Sequence, residues 1–107
     1  MSEDEFQFNS EEDAIQLLED SRKTILNLDQ EIFKLILKRT KTAKGVALAK
    51  AFLGKNILDE KREETIYNNV KKITDEEGED NINDEIILRI VKLLMELSKD
   101  FQKNIKE

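Results

Sequence analysis

The 107-residue sequence contains no cysteine and no histidine. The lack of cysteine excludes a disulfide framework and thiol catalysis, and the lack of histidine excludes imidazole catalysis. Without either residue the usual zinc ligands are also missing. Any chemistry must therefore use carboxylates, cations, amides or hydroxyls.

Proline is absent as well, and there are only three glycines. The chain is instead rich in glutamate, lysine, leucine and isoleucine, a composition that favours helices over strands. Its length and its 38% of hydrophobic residues suit a single domain with a modest core. We expect an all-α fold.

Long apolar runs are missing, so no stretch approaches the length needed to cross a membrane. The opening stretch, MSEDEFQFNSEEDA, is acidic and lacks the basic segment of a secretory signal. We expect a cytoplasmic protein without a membrane partner. Residues 1–9 are predicted to form a flexible acidic segment, and residues 10–107 a single helical domain.

Basic residues are outnumbered by acidic ones, 18 to 24, so the formal net charge is −6. The excess of acids comes from residues 1–20, which contain no lysine or arginine, and the rest of the chain is slightly positive. A nucleic-acid-binding protein would usually carry a dense basic patch. This distribution argues against a nucleic-acid partner and is compatible with a small anion held by local cations.

Helical periodicity predicts a first helix that begins near Ser10 and runs to about Leu53. Ser10 and Asp13 have the spacing of a capping box, and Gly54 suits a helix C-terminus. Helices longer than about 25 residues without an internal stop usually pack in coiled coils or bundles. A partner chain is therefore expected.

Two further helices are predicted. The first of them is short, follows Asp59 as its N-cap and contains EKREETIYNNVKKI. Residues 74–83, TDEEGEDNIN, are predicted to form a charged loop before a third helix that opens at Asp84. The buried face of this third helix is predicted to consist of Ile87, Ile90, Val91, Leu94, Leu97, Phe101 and Ile105.

Two cations interrupt the apolar face of the first helix. Arg39 and Lys50 are eleven residues apart, which places them within about 20° of each other around the helix. In steps of seven from Arg39, this face is otherwise apolar: Leu18, Ile25, Ile32, Val46 and Leu53. Each cation alone has an ordinary explanation, either a side chain that extends to solvent or one half of a buried ion pair.

Other polar residues beside these apolar faces also have ordinary explanations. A salt bridge, a helix cap, a first-turn charge or a solvated helix edge would account for Arg22 with Asp29, Asp59, Arg62, Glu63, Ser98 and Gln102. Periodicity alone therefore predicts a helical bundle that binds either a small anion or a partner helix.

The full spacing of these polar residues resembles that of AroQ-type chorismate mutases. The resemblance covers residues 15–106 and rests on three stretches, SRKTILNLDQEIFKLILKRTKTAKGVALAK, ILDEKREETI and LLMELSKDFQ. Eight positions match the residue types of the family's site at near-fixed spacing: Arg22, Arg39, Lys50, Asp59, Arg62, Glu63, Ser98 and Gln102.

The resemblance implies an intertwined all-α homodimer with three helices per chain, one long, one short and one medium. It also implies an isomerase of the shikimate pathway that converts chorismate to prephenate for phenylalanine and tyrosine biosynthesis. This Claisen rearrangement is pericyclic and needs no cofactor, metal or nucleophile. A protein without histidine or cysteine is able to promote it by positioning and electrostatics.

The resemblance further implies a role for each matched residue. Arg22 and Arg39 would clamp the two substrate carboxylates, with Arg22 contributed to the partner's site. Lys50 and Gln102 would donate to the ether oxygen. Together with Arg39 they are the candidate catalytic residues. The ring hydroxyl and the carboxylate contacts would be supported by Asp59, Arg62, Glu63 and Ser98, with Glu63 accepting from the hydroxyl.

Alternatives remain at this stage. Isochorismate-pyruvate lyases and aminodeoxychorismate mutases use a similar scaffold, and a non-catalytic dimerisation or regulatory module that binds a partner enzyme is also compatible. The candidate for that partner is an enzyme of the aromatic pathway. The chain departs from the family pattern at Asn56, where proline is common, in the long segment 74–83 and in its acidic amino terminus.

Overall fold

A computed structural model describes residues 7–54, 60–78 and 81–106. It contains three helices, α1 (Glu11–Leu53), α2 (Glu60–Glu77) and α3 (Asp84–Lys106), and no strand within those ranges. The all-α prediction of one long, one short and one medium helix is confirmed. None of the helices in the described ranges is both long enough and apolar enough to cross a membrane.

Both ends of α1 follow the predicted capping chemistry. The backbone N–H of Asp13 donates to Ser10 Oγ at 3.2 Å, so Ser10 is the N-cap, and acidic residues fill the first turn. At the other end Gly54 has φ 69°, and its N–H donates to the carbonyl of Ala51 at 3.2 Å. This left-handed conformation suits glycine and ends the helix after 43 residues.

The chain divides into two compact units, Met1–Ile36 and Leu37–Glu107. In the described part of the first unit the only helix is the N-terminal part of α1, so its apolar side chains have no second element of that unit to pack against. Every large apolar side chain from Ile15 to Leu35 is exposed. At about 100° per residue these side chains cover about half of the helix circumference.

The second unit holds the core, to which α1 contributes small residues and α3 larger ones. Ala43 and Ala47 of α1 are buried, as are Val91 and Met95 of α3, and Thr40 is a buried polar residue on the same face of α1. This core is small for a unit of three helical segments, and residues of the apolar face of α1 remain exposed here too, such as Val46 and Leu53.

Helix α2 is longer than predicted, because it continues to Glu77 and includes residues 74–77 of the expected loop. Thr74 Oγ1 donates to the carbonyl of Val70 at 2.9 Å, and the N–H of Gly78 donates to the carbonyl of Thr74 at 2.8 Å. Charge and polarity suggested a loop, but glutamate is a good helix former and nothing in this segment breaks the helix before Gly78. The loop prediction was therefore wrong at its amino-terminal end.

Helix α3 begins at Asp84, as predicted. The preceding Asn83 is its cap, because Asn83 Oδ1 accepts hydrogen bonds from the N–H groups of Glu85 at 2.9 Å and Ile86 at 3.4 Å. The predicted buried face is only partly confirmed. Val91 is buried and Ile87, Leu94 and Phe101 are half-buried, whereas Ile90 and Leu97 are exposed, and the side chain of Ile105 lies outside the described residues.

A lysine links α2 to the start of α3. Lys71 Nζ lies 2.9 Å from Asp84 Oδ2 and 3.1 Å from Asp75 Oδ1. The hydrogen bonds to Asp84 and then to Asp75 raise the pKa of Lys71. All three side chains are more than half exposed, so this bridge adds little to stability.

Candidate active site

Arg39 projects inward from α1 onto α3, as its place on the apolar face predicts. Its side chain is half-buried, and Nη1 donates to Ser98 Oγ at 2.7 Å and to the carbonyl oxygen of Leu94 at 3.0 Å. Both acceptors are neutral. The positive charge of Arg39 is therefore held in place by α3 without being neutralised by either contact.

The remaining donors of Arg39 are available for a ligand. A guanidinium has five N–H groups, and the two on Nη1 match the two contacts with α3. Those on Nε and Nη2 have no partner among the described residues, and together they form the planar fork that binds a carboxylate through two hydrogen bonds. The arrangement suits recognition of an anionic ligand.

Gln102 lies one helical turn after Ser98, so the two side chains share a face of α3. Gln102 is only 7% exposed, and its Oε1 atom is buried and accepts no hydrogen bond from the residues that the structure describes. A buried polar atom left unsatisfied costs about 1–3 kcal/mol. An amide held at this cost is typical of a ligand site, where rotation about Cγ–Cδ presents either its oxygen or its NH₂ group.

Glu63 of α2 lies against Lys99 of α3, with which its Oε1 forms an ion pair. The carboxylate oxygen is buried and has no hydrogen bond of suitable geometry, so attraction between the charges is its main described interaction. Lys99 directly follows Ser98 in the chain. Glu63 therefore lies against the part of α3 that contains Ser98 and Gln102.

Two further predicted residues lie on α1 and α2. Lys50 is half-buried in the last turn of α1, on the same helix face as Arg39. Arg62 is exposed in the first turn of α2, next to Glu63. For Lys50 the prediction that a cation on the apolar face points inward agrees with its burial, whereas Arg62 lies at the surface of the chain.

The last two predicted residues fall elsewhere. Arg22 is exposed and belongs to the first unit, whereas the cluster belongs to the second. Asp59 lies outside the described residues. The cluster that the second unit itself brings together therefore consists of Arg39, Ser98, Gln102 and Glu63.

Sequence reasoning missed Lys99 and Thr40. Lys99 pairs with a residue 36 positions earlier, and no local pattern reveals such a contact. Its position directly after Ser98 was the only available signal. Thr40 is 8% exposed, and its place beside Arg39 on α1 gave no reason to single it out. Within the described ranges no group of three or more acidic side chains has the geometry of a metal site.

Comparison with known proteins identifies the family of this chain. The model of the family named chorismate mutase type II matches residues 21–103. A chorismate mutase from Methanocaldococcus jannaschii is 38% identical over 93 residues, which are 87% of this chain and 91% of that protein. No solved structure gives a significant match. Since the family model spans most of the chain and the relative is matched over nearly its full length, the chain belongs to the chorismate mutase type II family and is an isomerase.

Proposed function

We propose that this protein converts chorismate to prephenate by a Claisen rearrangement, in the cytoplasm, as a step toward phenylalanine and tyrosine. The observation that carries the proposal is Arg39, which is half-buried, donates to two neutral acceptors and has no carboxylate contact among the described residues. Such a cation suits a carboxylate of a small dianion better than it suits a structural ion pair.

The reaction requires binding and electrostatic stabilisation by the protein, and no covalent step with a side chain. Chorismate must be held in a compact conformation, and negative charge develops on the breaking ether oxygen in the transition state. Preorganised donors around that oxygen, and cations at the two carboxylates, lower the barrier without a nucleophile or a proton transfer. A site built from arginine, lysine and an amide supplies these groups.

The proposed roles follow the family resemblance residue by residue. Arg39 binds one carboxylate, and Ser98 orients Arg39 through the bond at 2.7 Å. Gln102 donates to the ether oxygen through its NH₂ group, and the support is its buried side chain, whose Oε1 accepts no hydrogen bond in the described chain. Lys50, half-buried on the face of Arg39, is the second donor to that oxygen.

The remaining roles concern the other end of the substrate. Glu63 accepts a hydrogen bond from the ring hydroxyl, with Asp59 lining that side. Arg62 supports the carboxylate contacts, and Arg22 binds the second carboxylate from the partner's chain. For Arg22 the support is its angular position on α1, about 100° from Arg39, so the two side chains leave the helix in different directions.

We further propose that the active form is an intertwined homodimer, with α1 packed on a second copy of the chain. The support is the apolar half of α1 from Ile15 to Leu35, which is exposed in the single chain. A helix with apolar side chains around half its circumference suits burial against more than one neighbour. Arg22 and Asp29 lie within this half at the computed angles, as expected for polar groups that meet a partner's site.

A sedimentation experiment tests the dimer. Ile25→Asp places a charge in the apolar half of α1, whereas Asn27→Asp places the same charge on the polar side of the same turn. Wild type and Asn27→Asp are expected to sediment as dimers at micromolar concentration, and Ile25→Asp as a monomer or as unfolded chain. A monomeric wild type would refute the homodimer.

The reaction is tested by incubating the purified protein with chorismate, following the loss of ultraviolet absorbance and identifying the product by chromatography. Lys50→Ala is expected to lower the rate about 10²–10³-fold, the usual effect of removing one preorganised donor. Lys44→Ala, an exposed lysine of the same helix, is the matched control and should retain the wild-type rate.

The outcomes separate the remaining candidates. Prephenate from wild type and from Lys44→Ala, with little from Lys50→Ala, supports the proposal. Release of pyruvate from isochorismate, or turnover of aminodeoxychorismate alone, would replace the proposed function with the corresponding activity on the same scaffold. A folded dimer that converts none of the three substrates would indicate a non-catalytic module.

A further inference from the structure

Lys99 is a charged residue of α3 that lies inside the candidate site without a role in the mechanism above. Its ammonium group forms an ion pair with Glu63 Oε1, and the two side chains are 37% and 26% exposed. It stands between Ser98, which binds Arg39, and Gln102, whose amide is buried. One helical turn of α3 therefore touches both the arginine and the carboxylate of the site.

The contact fixes one oxygen of the Glu63 carboxylate. A glutamate side chain rotates about three bonds, and holding it in one orientation requires a partner. Lys99 occupies Oε1, which is buried. A carboxylate has two acceptor oxygens, so Oε2 remains to accept a hydrogen bond from a ligand hydroxyl.

The charge of Lys99 also matters for an anionic ligand. A dianion brought next to an ionised glutamate is repelled, and the repulsion is strong in a partly buried site where screening by solvent is weak. An ammonium in contact with that glutamate cancels most of its charge. Glu63 is then able to act as an acceptor without repelling the ligand.

We propose that Lys99 is a positioning residue of this site, which orients the Glu63 carboxylate and offsets its charge so that the ring hydroxyl of a dianionic substrate is bound through Oε2. The inference rests on the proposed function, since it assigns Lys99 to the same reaction. It predicts that Lys99 acts only through Glu63.

A double-mutant cycle tests that dependence. Wild type, Lys99→Met, Glu63→Gln and the double variant are compared for kcat and KM with chorismate, with Lys92→Met, an exposed lysine two turns earlier on α3, as the matched control. Lys99→Met is expected to raise KM and to lower kcat/KM about tenfold. In the Glu63→Gln background the same change should alter kcat/KM by less than about twofold, because no carboxylate remains to be positioned or neutralised.

A conservative replacement separates positioning from folding. Lys99→Arg keeps the charge and should recover most of the activity lost in Lys99→Met, and helical circular dichroism with thermal unfolding shows which variants are folded. If Lys99→Met does not fold, Lys99→Arg and Lys99→Gln, compared in the two Glu63 backgrounds, complete the cycle. Recovery by arginine together with non-additive effects supports the proposal.

Three results would overturn it. If wild type converts chorismate and the Lys99 and Glu63 effects simply multiply, the proposed function stands and the role of Lys99 is refuted. If Lys99→Met lowers stability but leaves kcat and KM unchanged, the ion pair only joins α2 to α3. An inactive wild type would instead refute the proposed function, and the role of Lys99 with it.

Discussion

Replacement of Arg39 by methionine should damage activity more than stability. Methionine keeps most of the apolar stem of the side chain and removes the charge and both contacts with α3, at 2.7 Å to Ser98 and 3.0 Å to Leu94. Hydrogen bonds that involve a charged group contribute about 1.5–3 kcal/mol each when buried. Because Arg39 is only half-buried, we expect a total loss of about 2 kcal/mol in the free energy of unfolding.

The expected effect on catalysis is larger. Loss of one preorganised cation should lower kcat/KM about 10²–10³-fold, which corresponds to about 2.7–4 kcal/mol. Ser98→Ala provides the comparison, since it removes one of the two contacts and leaves the guanidinium in place. We expect it to cost about 1 kcal/mol in stability and about tenfold in kcat/KM.

Urea unfolding followed by circular dichroism, at one fixed protein concentration, gives the stability of each variant, and chorismate absorbance gives kcat/KM. Lys41→Met is the matched control, because Lys41 is an exposed lysine two residues further along α1. It should match wild type in both assays. If Arg39→Met is destabilised by about 2 kcal/mol and keeps its activity, Arg39 only joins α1 to α3 and the site assignment is wrong.

Three other predictions follow from the described geometry. Gly54→Ala should lower the free energy of unfolding by about 1–2 kcal/mol because of the positive φ of Gly54, whereas Gly45→Ala, within α1 and with open space around it, should raise it by about 0.5–1 kcal/mol. Urea unfolding checks both, and equal effects of the two changes would contradict the reasoning. An equal mixture of Arg22→Ala and Lys50→Ala subunits should recover about a quarter of wild-type activity after subunit exchange, since half of the dimers are mixed and each holds one intact site; no recovery after verified exchange would argue against shared sites. The pKa of Lys71 is raised above 10.5 by its carboxylate partners, so the stability that its charge adds over Lys71→Met is present below that pH and is lost as pH rises through the raised value. Unfolding at pH 8 and pH 11 checks the sign, and a larger difference at pH 11 would contradict it.

The helices could be predicted well from the sequence because their signals are local. Ser10 at the start of α1 and Gly54 at its end each act through hydrogen bonds within a few residues. The inward direction of Arg39 followed from helical spacing alone, and its half-burial agrees with that spacing. In these cases the information needed lies within one or two turns of helix.

One failure is local, and the others involve contacts with residues distant in the sequence or absent from the single chain. The segment 74–77 looked like a loop because its charge and polarity outweighed its helical propensity in the pattern. Ile90 and Leu97 were assigned to the buried face of α3, but periodicity distinguishes apolar from polar positions and does not say whether the neighbour belongs to the same chain. The ion pair of Lys99 with Glu63 joins two helices, and only the tertiary arrangement brings them together.

The exposed apolar half of α1 has a consequence for how much of this protein is folded at a given concentration. Most of the stability of a helix in a protein comes from the packing of its apolar face, and the described part of the N-terminal unit has no second element to pack against, so this unit needs a partner surface to remain folded. If that surface belongs to a second copy, folding and association are one equilibrium, and the folded fraction depends on total protein concentration. Dilution would then unfold the N-terminal unit and remove activity together, with no change in temperature, pH or sequence.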